Sequence, residues 1–147
     1  MVTYVPTDYL DVFYDKVSPF LDRAAGRSNG RYRGDDFWEM VKDGSHQLWV
    51  TLDDEENIVG VTSTTIYENR NLTVMEIIAH GGNGSLDRKY LSEVMRNMQE
   101  FAEDNNCDVI RIVGRRGWVK ALKPYGYHSQ HVVLEKEVTD ARRRRSN

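Results

Sequence analysis

The sequence has 147 residues, 39% apolar, 29% charged and 10% aromatic, which suits one folded domain and excludes a disordered chain. No run approaches the roughly 18–20 apolar residues that cross a bilayer, and the opening MVTYVPTDYLDVF carries acids where an export signal is basic and then apolar, so no membrane association and no export by that route are expected. The net charge of −3 becomes −7 without the four arginines at 142–145; a body of that sign repels a phosphate backbone and disfavours nucleic acid as a partner.

In chain order, VTYV is a short apolar alternation stopped by Pro6. Thr7 is then placed to cap a helix whose apolar positions Leu10, Phe13, Tyr14, Val17 and Leu21 recur at helical spacing, with Pro19 expected to kink or divide it. AAGRSNGRYRGDD reads as a Gly-rich basic loop, and Asp35 or Asp36 starts a short helix that buries Phe37, Trp38 and Val41 and ends at Gly44. HQLWVTL, NIVGVTSTTIYE and NLTVMEIIA are strand-like runs separated by turn formers, which predicts three consecutive antiparallel strands. GGNGS breaks the pattern, and Leu91, Val94, Met95, Met98, Phe101 and Ala102 mark one face of a long helix from Leu86 to Asp104.

The lone Cys107 cannot form an internal disulfide or a Cys-rich zinc site, and it fits a reducing, cytoplasmic setting. DVIRIV is a strand, and a strand joined to the next by a long helix implies a parallel crossover. RRGWVKALK gives a short helix ended by Pro124 and Gly126, and HVVLEKEV is predicted as the last strand. The fold class is therefore α/β or α+β, a mixed sheet with antiparallel strands first, a crossover in the second half, and helices packed on it. Residues 1–140 are expected to form one domain, and residues 141–147 a basic tail.

The element order, the I-V-G of the second antiparallel strand, the helix after a Gly-containing break, and GWVKALKPYGY together resemble the GNAT family of acyl-coenzyme A dependent N-acetyltransferases. The resemblance spans residues 46 to 135, with Gly126 and Tyr127 in the family's Gly-aromatic position. GRRGWVKALKPYGY also resembles GNAT-like proteins of tailed phages, some of which are virion or assembly proteins.

The family resemblance implies acetyl-coenzyme A as donor substrate and a small-molecule or protein amine as acceptor. It implies a bulge where the fourth and fifth strands splay, with Ile77, Ile78 and Ala79 offering backbone groups to the pantetheine arm. The diphosphate would lie over the next helix, at Gly81, Gly82, Gly84 and Ser85, where backbone N–H groups and the helix dipole stabilise an anion, with Arg88 assisting. A Gly-rich turn that only joins strand to helix is the alternative. The family's phosphate signature, counted back from Ala102, falls on Leu86 to Leu91, LDRKYL, which has no glycine.

Acetyl transfer needs a base for the incoming ammonium and an acid for the departing thiolate. Glu76 interrupts the apolar run VMEIIA and is the candidate base, with His80 second. The family's acid is a tyrosine four residues before the Gly-aromatic pair; Leu122 stands there, and Tyr125 is the candidate substitute, with Tyr127 beside it. His128 and His131, three apart in an extended segment, diverge, so no metal is expected. The departures from the pattern keep a second reading open: an inactive, phage-encoded virion or assembly protein with this fold, acting through protein contacts in a virion or host cytoplasm.

Overall fold

A computed structural model of the chain describes residues 1–83 and 88–138, with Arg88 by its backbone alone. Among these residues one sheet holds five strands in chain order: β1 (Val2–Tyr4), β2 (Gln47–Leu52), β3 (Ile58–Asn69), β4 (Leu72–Gly82) and β5 (Val109–Ile112). β1 to β4 pair antiparallel, and β5 joins β4 in parallel after helix α3 (Arg88–Asp104). The predicted mixed sheet and crossover are thus present. Asp108 fixes the start of the parallel pair, because its N–H donates to the Thr73 carbonyl while its carboxylate accepts from the Thr73 N–H, both at 2.8 Å.

Period-two alternation sorts the sheet's side chains onto two faces. Leu48, Val50, Val61 and Ala79 point to one face, under α1 (Leu10–Ala25) and α2 (Gly34–Lys42), which add Val17, Phe20, Leu21, Phe37 and Val41 to the same core. Trp49, between Leu48 and Val50, points the other way and meets Phe101 of α3 edge-on, ring centroids 4.9 Å apart. The apolar stripe of α3 is buried at Val94, Met95, Met98 and Ala102, as its spacing predicts.

Four expectations change. Thr7 does not cap α1; it lies inside a 3-10 turn, Thr7–Tyr9, so the helix boundary falls at Tyr9. Pro19 does not divide α1, which runs unbroken from Leu10 to Ala25. A mid-helix proline costs about 3 kcal/mol, and burying Leu10, Val17, Phe20 and Leu21 at roughly 1.5–3 kcal/mol each outweighs it. Gly81 and Gly82 are not a break, for β4 continues through them, opposite Val61 and Gly60. HVVLEKEV is not a strand: residues 131–137 have no regular structure, and Val132 and Leu134 are 80% and 89% exposed. β-branched residues form a strand only where a paired neighbour and an apolar surface receive them.

The chain divides into two compact units, Met1–Val113 and Gly114–Asn147. The second contains helix α4 (Gly117–Leu122) and a 3-10 turn, Lys123–Tyr125, closed by Gly126 at φ 87°. That left-handed backbone favours glycine, and it ends the helix where the sequence predicts.

Candidate active site in the first unit

The register of β3 against β4 slips once. Ser63 faces Ala79 and Thr64 faces Ile77, so Ile78 is an extra residue, a β-bulge. The parallel ladder with β5 ends at the same level, at Ile77 opposite Ile112. β4 therefore runs on from Ile78 to Gly82 beside β3 but beyond the reach of β5. The Asn83 N–H donates to the Val59 carbonyl at 3.0 Å, and alternation along an antiparallel ladder then turns the backbone groups of Gly81 and Ala79 toward β3 and those of His80 and Gly82 toward the edge that β5 leaves uncovered. The Gly82 carbonyl shows that direction, accepting a 3.0 Å hydrogen bond from Arg23 Nη1.

No family model matches the sequence, and no curated protein sequence matches it. The fold has solved counterparts. A Trypanosoma brucei acetyltransferase superposes with a TM-score of 0.68 at 11% identity, covering 94% of this chain and 99% of that one. A GNAT family acetyltransferase of Staphylococcus aureus gives 0.64 at 16% identity over 94% and 98%. This chain has the GNAT fold. An aminoglycoside acetyltransferase from an uncultured soil metagenomic sample also shares it, with a TM-score of 0.67 at 11% identity over 95% and 96%.

In this GNAT fold the bulge decides which face each side chain takes. In an unbroken strand Glu76 and His80 would share a face. The extra residue reverses the phase: Glu76 pairs with Thr65 on the α1 and α2 face, whereas His80 pairs with Thr62 on the α3 face. Glu76 is mostly buried, its side chain 18% exposed; Oε1 accepts a 2.6 Å hydrogen bond from the Tyr67 hydroxyl and lies 3.8 Å from Arg111 Nε on β5. Burial and this carboxylate push the Tyr67 pKa up, so the phenol remains a donor. His46, just before β2, is close enough to Glu76 to feel its charge, while burial pulls the His46 pKa down.

His80 Nδ1 is 2.9 Å from the Thr62 hydroxyl. Burial, with a smaller contribution from the Arg27 charge, pushes its pKa down to about 4, so the imidazole is neutral at pH 7. In the unfolded chain it titrates near 6.5, so between those values the unfolded state binds more protons and stability falls as the pH drops. With these pKa values the loss from pH 7.5 to pH 5 is about 2 kcal/mol, and His46 contributes in the same direction. Urea unfolding at the two pH values is expected to show this loss, and His80→Gln to remove most of it; a variant as acid-sensitive as the parent would refute the assignment.

The sequence candidates are not all brought together. Ile77, Ile78 and Ala79 surround the bulge, and Glu76 adjoins it. Gly81 serves α1: a Cβ there would stand 2.7 Å from the Phe20 carbonyl oxygen, so only glycine lets the helix approach so closely. Gly84 and Ser85 lie outside the described residues, as does the Arg88 side chain. Within the second unit, Tyr125 is 37% exposed on the 3-10 turn, Leu122 is buried, and burial pushes the Tyr127 pKa up to about 12.

Sequence reasoning missed three partners. Tyr67 and Arg111 become visible only once strand register is known, and Arg23 looks like any basic residue in a helix's last turn. Among the described residues, no three His, Cys, Asp or Glu side chains gather as a metal ion requires, and no helix is long and apolar enough to cross a membrane.

Proposed function

We propose that this protein is an N-acetyltransferase that moves the acetyl group of acetyl-coenzyme A to a primary amine on a small molecule or a protein. The supporting observation is the bulge at Ile78 coinciding with the end of the β5 ladder at Ile77. An extended chain carrying amides can lie along that stretch of β4 as an added strand, held by main-chain hydrogen bonds. Ile77 and Ile78 flank the thioester, and Ala79, whose own backbone groups turn to β3, forms the wall beside it. The diphosphate lies beyond Gly82.

In the reaction, the amine nitrogen attacks the thioester carbonyl to give a tetrahedral intermediate. Its collapse breaks the C–S bond, forms the amide and releases a thiolate. Glu76 accepts the ammonium proton through a water molecule, and the thiolate takes a proton from solvent, because Leu122 holds the place of the family's tyrosine. The single cysteine suits work in the cytoplasm. Neither the described residues nor the solved counterparts offer a feature that favours the phage virion or assembly role.

The test is thiol release from acetyl-coenzyme A in the presence of small primary amines and lysine peptides. We expect turnover with at least one acceptor class. Ligand at about 100 times its Kd should also stabilise the fold by about 2.7 kcal/mol. No thiol release and an unmoved melting temperature at millimolar acetyl-coenzyme A would overturn the proposal.

A further inference from the structure

We infer that Arg23, on helix α1, binds the diphosphate of the coenzyme at the end of β4; the inference rests on the acetyl-coenzyme A reading above. Arg23 Nη1 donates to the Gly82 carbonyl at 3.0 Å and to Asn83 Oδ1 at 3.1 Å. Its guanidinium also sits over the Phe20 ring, 5.3 Å from the centroid. These contacts hold an exposed side chain in one place. Among the described residues Nη1 is the guanidinium nitrogen that makes these bonds, and Nε and Nη2 complete a planar fork whose geometry suits phosphate oxygens.

The position fits the length of the ligand. Because the Gly82 carbonyl points away from β3, Arg23 stands on the same edge of β4 that the pantetheine arm would occupy. From the thioester sulfur to the first phosphorus, coenzyme A has about 13 bonds, the length of about four extended residues at three backbone bonds each. Four residues at about 3.3 Å per residue carry the arm from Ile78 to Gly82, roughly 13 Å. An arm anchored at the bulge therefore delivers its phosphates to Arg23.

The charge fits as well. Residues 1–140 sum to −7, yet Arg23 is in the last turn of α1, Arg27 follows in the turn just after the helix, and Arg27 is close enough to His80 to influence it. LDRKYL, at the family's phosphate signature, has no glycine, and a guanidinium beside the end of β4 supplies positive charge for an anion there.

The experiment measures calorimetric Kd values for acetyl-coenzyme A and for S-acetylpantetheine, which has the same arm and no phosphate. Arg23→Gln is expected to weaken acetyl-coenzyme A by about tenfold or more and to leave S-acetylpantetheine unchanged. Arg23→Lys, a point charge without the fork, should fall between, and it supports the same comparison should the glutamine variant fail to fold. Parental binding of both compounds with no selective loss in the variants overturns the role of Arg23 alone, as does an equal loss for both, which marks a merely structural clamp. Parental protein that binds neither compound overturns the acetyl-coenzyme A reading and this inference with it.

Discussion

Glu76→Gln is expected to lower kcat for amine acetylation by about 10²–10⁴ while leaving the unfolding midpoint nearly unchanged. The amide is isosteric with the carboxylate, and its oxygen can still accept the hydrogen bond from Tyr67 that Glu76 accepts at 2.6 Å. Arg111 loses an ion partner, but its side chain is half-exposed, so that loss is small. What disappears is the ability to take a proton. KM for acetyl-coenzyme A should hold, since Glu76 lies on the α1 and α2 face and not on the strand edge where the arm binds. Undiminished turnover in this variant would move the base elsewhere, and His80→Gln would then be the next variant to assay, on the opposite face of β4.

Gly81→Val is expected to destabilise the fold by about 3 kcal/mol, at the upper end of overpacking costs. The obstacle is the Phe20 carbonyl, 2.7 Å from where the new Cβ would sit. A backbone atom cannot rotate away as a side chain does, so α1 must withdraw from β4, which loosens Phe20 and draws Arg23 off Gly82. Gly117→Ala is the control, since nothing lies within 4 Å of its added Cβ and no left-handed backbone is involved; a change within about 0.5 kcal/mol is expected there. Denaturant midpoints at unchanged slope check both, and a Gly81 variant as stable as the parent would show that α1 does not press on β4 as described.

Much of the architecture is legible in the residues. The alternation through Leu48 to Leu52 and Val61 to Thr65, with turn formers between, gives adjacent antiparallel strands. The stripe from Val94 to Ala102 gives the crossover helix, and the order of these elements gives the parallel fifth strand. The place of the bulge is not legible from local pattern. VMEIIAHGG offers no proline or isolated polar residue at Ile78, because the slip is imposed by pairing with Ser63 and Thr64.

The glycines mislead for a related reason. Gly81 and Gly82 look like a loop, yet they extend a strand because a helix must come close to it. HVVLEKEV has the composition of a strand, but strand formation depends on a neighbour that composition does not report. Of the candidate site, Glu76 is conspicuous as a charge within an apolar run. Its face, its bond to Tyr67 and the neighbouring Arg111 follow from register alone.

Backbone amide exchange measured with and without saturating acetyl-coenzyme A tests most directly whether the carrier arm lies along β4 past its bulge. Slower exchange confined to residues 78–82 and the adjoining end of β5, absent when free acetate replaces the coenzyme, is the predicted result. Saturable binding that leaves those amides exchanging at their original rates would contradict the account.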